Sequence, residues 1–129
     1  MKHIKYILSF IVFIAASSFA MAGDFGDVSL DQLQKAINSD SVTVIDVNGS
    51  KSYAKGHIPS AIDFASVKDL KSVLPKDKNA LIVAYCGGPK CGAYQKAAKA
   101  AQKLGYKNVK HLSAGISGWK DAGLPVETK

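Results

Sequence analysis

The sequence predicts an α/β domain: a central, mainly parallel sheet with helices on both faces. Two observations carry that expectation. The runs Val42-Thr43-Val44-Ile45-Asp46-Val47 and Ala80-Leu81-Ile82-Val83-Ala84-Tyr85 are β-branched or apolar almost throughout, as strands buried on both faces are. Helix-forming segments alternate with the strand segments, and strand–helix alternation gives parallel pairing through crossover connections. The chain has 129 residues, enough for one such domain and too few for two.

The first 22 residues do not belong to that domain. Lys2, His3 and Lys5 make a basic start, residues 6–16 are an apolar core, and Ala20-Met21-Ala22 fits a small-x-small cleavage site. We expect a secretory signal peptide over 1–22 and the folded domain over 23–129. The apolar core is shorter than the roughly 20 residues of a membrane span. The expected location is therefore periplasmic or secreted, with no stable membrane association after cleavage.

Each element of the domain has a local reason. Ser29 suits a helix N-cap, and Leu30, Leu33, Ala36 and Ile37 give one apolar face through Asn38. A strand over 42–47 ends at Asn48-Gly49-Ser50, where Ser50 is placed to cap a short helix to Lys55. Gly56-His57-Ile58-Pro59 is a turn before a brief strand over 62–64. Ser66 is expected to cap a helix through Leu74. The strand over 80–85 is the most hydrophobic and hence central. Residues 93–104 are rich in Ala, Lys and Gln and predict a helix stopped by Gly105. A strand over 107–112 and a short helix over 115–120 follow, with Trp119, Leu124 and Val126 expected in the core.

Charge is informative mainly by exclusion. The net charge is +7, carried by 17 lysines and no arginine, against ten acids. The lysines are dispersed, with no aromatic interleaving or groove-reading motif, which argues against a nucleic-acid partner.

The chemistry is expected after the central strand. Ligand sites of open parallel sheets lie at the carboxyl ends of the strands, where Cys86, Asp46 and His111 all fall. Cys86 opens the loop Gly87-Gly88-Pro89-Lys90-Cys91-Gly92, which runs into the helix over 93–104. Loop amides, the helix N-terminus and Lys90 would favour a thiolate. Gly87 and Gly88 permit a positive φ that turns their N–H groups inward. Pro89 stiffens the loop. Lys90 either attracts an anion or is simply solvated. Cys91 has three readings: a disulfide partner for Cys86, a resolving thiol, or a pocket wall. Asp46 is expected to support the site by accepting loop N–H bonds, and His57 to tie down its turn. His111 is expected at the surface, and Tyr85 and Tyr94 in core packing.

Five motifs in order resemble a single-domain rhodanese: Ile-Asp-Val (45–47), Gly-His-Ile-Pro-Ser-Ala-Ile (56–62), Val-Ala-Tyr-Cys (83–86), Lys-Ala-Ala…Leu-Gly-Tyr-Lys-Asn-Val (96–109) and Ser-Ala-Gly-Ile…Gly-Trp…Ala-Gly-Leu-Pro-Val (113–126). The chain is also similar to an exported subgroup with Cys-x4-Cys in the loop, and with Asn, here Asn48, where most members carry Arg. The resemblance implies a sulfurtransferase. Sulfane sulfur would pass from a donor such as thiosulfate to Cys86 as a persulfide, then to cyanide or a thiol. Residues 87–91 would offer amides to the persulfide, and no metal or organic cofactor is implied. The partners are then small sulfur anions and a thiol acceptor.

Two features depart from the family pattern. Cys91 stands where a loop Arg is common, and the loop is about two residues longer than usual. The related phosphatase pattern, Cys-x5-Arg, is excluded: Gly92 occupies the Arg position, and lysine is a point charge without the guanidinium fork. Two other classes remain open. One is a non-catalytic carrier of sulfane sulfur or a soft metal ion. The other is a thiol–disulfide redox protein using Cys86 and Cys91, for which Cys-x4-Cys is not the usual spacing.

Overall fold

The computed structural model describes residues 25–129, so the expected signal peptide lies outside the described residues. The elements are β1 (Gly26–Asp27), α1 (Leu30–Asn38), β2 (Thr43–Asp46), α2 (Ser50–Lys55), β3 (Ile62–Asp63), α3 (Leu70–Val73), β4 (Ile82–Tyr85), α4 (Tyr94–Lys103), β5 (Val109–His111) and α5 (Gly115–Asp121). A 3-10 turn, Phe64–Ser66, follows β3. Among the described residues no helix is long and apolar enough to cross a membrane.

The five strands pair in parallel in the order β1-β5-β4-β2-β3. β4 is central and buried at every position, as its unbroken apolar run predicts. The two faces separate by the strand period of two. Ile45, Ile82, Ala84 and Cys86 pack with Leu74 of the segment after α3 and with Tyr94, Ala97, Ala98 and Ala101 of α4. Val44, Val83 and Tyr85 face the other way, onto Leu33 of α1, Ile58, Leu112 and Trp119 of α5. From β2 the chain moves to β3 on one side. From β4 it moves to β5 on the other. The carboxyl ends of β2 and β4 therefore flank the topological switch point.

Local signals account for most boundaries. Ser29 and Gln32 form a reciprocal capping box on α1. The helix expected over 66–74 is instead the 3-10 turn followed by α3. Ser66 Oγ donates to the Asp63 carbonyl, and Val67 is extended. Asp63 and Asp69 are the caps, accepting from Ala65 N and Lys71 N. Ser50 does not cap α2. Its hydroxyl donates to Asp63 Oδ2 at 2.6 Å, and Gly49, at φ 88°, holds the cap position. β1 is too short to show a periodic pattern.

The C-terminal strap corrects one core expectation. Trp119 is buried, its Nε1 donates to the Pro125 carbonyl at 2.7 Å, and Leu124 packs with it. Val126 is 39% exposed. His57 and Glu127 pair in an antiparallel bridge through two 2.9 Å bonds, which fixes the neighbouring Val126 on the outer side. His57 is itself held by stacking on Tyr53 at 3.6 Å and by Nδ1 against the Tyr53 carbonyl, as a turn-tying residue should be.

Candidate active site

The loop after β4 is closed by a turn and a covalent bond. Cys91 N donates to the Gly88 carbonyl at 3.1 Å, making Gly88-Pro89-Lys90-Cys91 a β-turn with Pro89 at the position that its fixed φ favours. The turn returns Cys91 to Cys86, and the two form a disulfide with Cα atoms 6.3 Å apart. The bond is the one that two of the three readings of Cys91 contain, a resting disulfide and the product of a resolving thiol. Cys86 is 1% exposed and Cys91 is only half-buried, with Pro89, Lys90 and Gly92 at the surface. The Cys86 sulfur also lies 3.4 Å from the Cys91 carbonyl oxygen.

The loop's first residues are carried by α5. Ile116 N donates to the Cys86 carbonyl and Ser117 N to the Gly87 carbonyl, each at 3.0 Å. Gly115 has φ 61°, and a Cβ there would stand 2.6 Å from the Gly87 carbonyl group and from Gly88 N. The loop glycines themselves do not take positive φ, contrary to expectation; that conformation falls on Gly115. Asn48 comes in from the end of β2, its Oδ1 4.0 Å from the place of a Cβ on Gly87.

Asp46 supports the strand ends and not the sulfur. Its carboxylate lies on the α1/α5 face, where Oδ1 accepts from Asn48 N at 2.8 Å and Oδ2 accepts from the Tyr85 hydroxyl. The same Tyr85 oxygen accepts from Ile58 N at 3.0 Å. Burial pushes the Asp46 carboxyl above its ordinary range, opposed by the bonds from Tyr85 and Asn48. Burial raises the Tyr85 hydroxyl as well. We expect Asp46→Ala to lower stability in chemical denaturation by about 2–3 kcal/mol, because two donors lose their acceptor, one of them fully buried. Asp46→Asn keeps one acceptor and should cost less than half of that.

His111 is buried, where a surface place was expected. It ends β5, pairs across from Ala84, and stacks face to face on Tyr94 at 3.4 Å, with Phe25 edge-on to Tyr94 at 6.3 Å. Burial lowers its pKa from the ordinary value, against a smaller opposing pull from Asp27. Asp27 accepts from Ser113 N and Oγ, both at 2.8 Å, and so ties β1 to the β5–α5 connection.

The structure thus places a bridged pair of cysteines at the switch point of a parallel α/β sheet. The rhodanese-like domain model matches residues 29–122, and the chain belongs to that family. Members similar to it include a sulfurtransferase of Allochromatium vinosum, 32% identical, covering 72% of this chain and 85% of that protein. A helix-turn-helix-type transcriptional regulator of Mycobacterium tuberculosis is 37% identical over 74% of this chain, which spans 42% of the regulator's length. In the crystal structure of a thiosulfate sulfurtransferase from Pseudomonas aeruginosa, 20% of that chain matches 83% of this one, with 28% identity and a TM-score of 0.66.

Proposed function

We propose that the protein is an exported sulfurtransferase that works through a persulfide on Cys86. The reduced Cys86 thiolate attacks the outer sulfur of thiosulfate, or of a polysulfide or persulfide donor. The donor's S–S bond breaks, and sulfite or a thiolate leaves with the electron pair. A thiophilic acceptor, cyanide or a thiolate, then takes the outer sulfur and the Cys86 thiolate returns.

One observation carries this reading. Cys86 opens a loop that ends at the N-terminus of α4, where Ala93 supplies no side-chain cap. Among the described residues the amides of Gly87, Gly88, Lys90, Gly92 and Ala93 meet no protein acceptor. Uncapped first-turn amides and the helix dipole favour a thiolate and a bound anion. Lys90, at the turn's exposed corner, adds a positive charge that attracts small sulfur anions. The basic, apolar N-terminal segment supports a periplasmic or secreted location.

The disulfide favours a second reading, a thiol–disulfide redox protein. Intact mass after incubating fully reduced protein with thiosulfate or polysulfide tests the first. Gain of one sulfur atom on Cys86 in Cys91→Ser, with turnover by the wild type on adding cyanide or a dithiol, is the expected result. Sulfur gain without turnover would instead make the protein a carrier. Failure of both the wild type and Cys91→Ser to gain sulfur would remove the sulfurtransferase reading. Insulin reduction that needs both cysteines would support the redox one.

A further inference from the structure

We propose that Cys91 is the resolving thiol of the Cys86 persulfide, so that the protein converts sulfane sulfur into free sulfide at the expense of a dithiol. This rests on the reading of Cys86 as the sulfur acceptor and names where that sulfur goes.

The bond in the structure runs directly between the Cys86 and Cys91 sulfurs. In a Cys86 persulfide that same Cys86 sulfur is the inner one. A loop that closes on it therefore brings Cys91 to the inner sulfur, with the outer sulfur as leaving group. The Cys91 thiolate forms the Cys86–Cys91 bond, the inner–outer S–S bond breaks, and hydrosulfide departs with the electron pair. Hydrosulfide is a weaker base than an ordinary cysteine thiolate and leaves readily. The approach needs no movement of the sheet. The turn from Gly88 to Cys91 is closed by its own hydrogen bond, and Pro89 presets it.

Exposure sets the direction of the reductive half. Cys86 is 1% exposed and Cys91 only half-buried, so Cys91 is the more accessible end of the bridge for an external thiolate. Attack there forms a mixed disulfide on Cys91 and expels Cys86 as the thiolate, the form that the α4 N-terminus stabilises. The second thiol of the same dithiol then frees Cys91 and becomes oxidised. Summed with thiosulfate as donor, one thiosulfate and one dithiol give one sulfite, one hydrogen sulfide and one disulfide. The two electrons that reduce the sulfane sulfur come from the dithiol. A monothiol acceptor that simply carries off the persulfide sulfur would leave this bridge without a use.

The test is single turnover without oxygen. Wild type and Cys91→Ser are reduced, freed of reductant and given one equivalent of thiosulfate or, separately, of a low-molecular-weight persulfide. Sulfide, sulfite and intact mass are followed. Wild type should release one sulfide per sulfur accepted and end two hydrogens lighter than its reduced form. Cys91→Ser should keep the added sulfur atom, with a lifetime about 100-fold or more longer, because an intramolecular attack has been removed. Cys91→Ala should behave as Cys91→Ser does, which separates loss of the thiol from any effect of the serine hydroxyl. If wild type holds the added sulfur as long as the variants and releases no sulfide, Cys91 is not a resolving thiol, while Cys86 remains the acceptor. If neither variant gains sulfur and the wild type releases no sulfide with either donor, the reading of Cys86 and this inference fall together.

Discussion

On the proposed mechanism, Cys86→Ser should lower sulfur transfer from thiosulfate to cyanide by about three orders of magnitude or more, with the fold intact. The attacking species is a thiolate. A serine hydroxyl in the same place stays protonated at neutral pH, and the features that lower a thiol's pKa leave it so. Stability is the control, and its reference must be the reduced wild type. The oxidised protein carries a cross-link that closes a short loop and adds about 2 kcal/mol by chain entropy. Against reduced wild type, Cys86→Ser should cost no more than about 1–2 kcal/mol, the scale for setting a hydroxyl at a buried, nearly isosteric position. Rates of thiocyanate formation and denaturant midpoints under reducing conditions give the two numbers. Residual transfer within tenfold of wild type would place the sulfur-accepting group elsewhere.

The reach of the sequence follows from the range of each physical signal. Ser29 is a local signal, and α1 begins where it says, with Gln32 completing a capping box. The β-branched run around Ile45 and the apolar run through Val83 report burial on both faces, and both became inner strands. Local competition defeated the reading at Ser66, where two aspartates, Asp63 and Asp69, capped separate short turns. The site was legible to the extent that its chemistry is contiguous. Cys86, its loop and the helix behind it are one stretch of chain. What came from elsewhere was not. β1 exists only because Gly26 and Asp27 find Lys110 and His111. His111 is buried because Tyr94, far from it in sequence, lies flat on its ring. The glycines of the loop suggested where positive φ would fall, but the demand for it is set by the contact between two segments and is met by Gly115.

That contact yields the other large effect. Gly115→Ala should lower stability by about 2–5 kcal/mol and displace the loop that carries Cys86. Two costs add. A non-glycine residue in the left-handed region costs roughly 1–2 kcal/mol. The new methyl also stands 2.6 Å from the Gly87 carbonyl group and from Gly88 N, and overpacking adds about 1–3 kcal/mol. Nothing flexible gives way there, since the opposing atoms are backbone. Those backbone atoms open the loop that carries both cysteines, and Ile116 N and Ser117 N hold its first two carbonyls. Any relief therefore moves Cys86 relative to the α4 N-terminus. Gly105 separates the two causes. It has φ 96° and open space around the site of a Cβ, so Gly105→Ala should show the conformational cost alone, about 1 kcal/mol, with sulfur uptake unchanged. Denaturant midpoints of both variants, read beside the rate of sulfur gain on Cys86 by intact mass, make the comparison. Equal destabilisation and equal uptake in the two would show that the α5 backbone does not set the position of the loop.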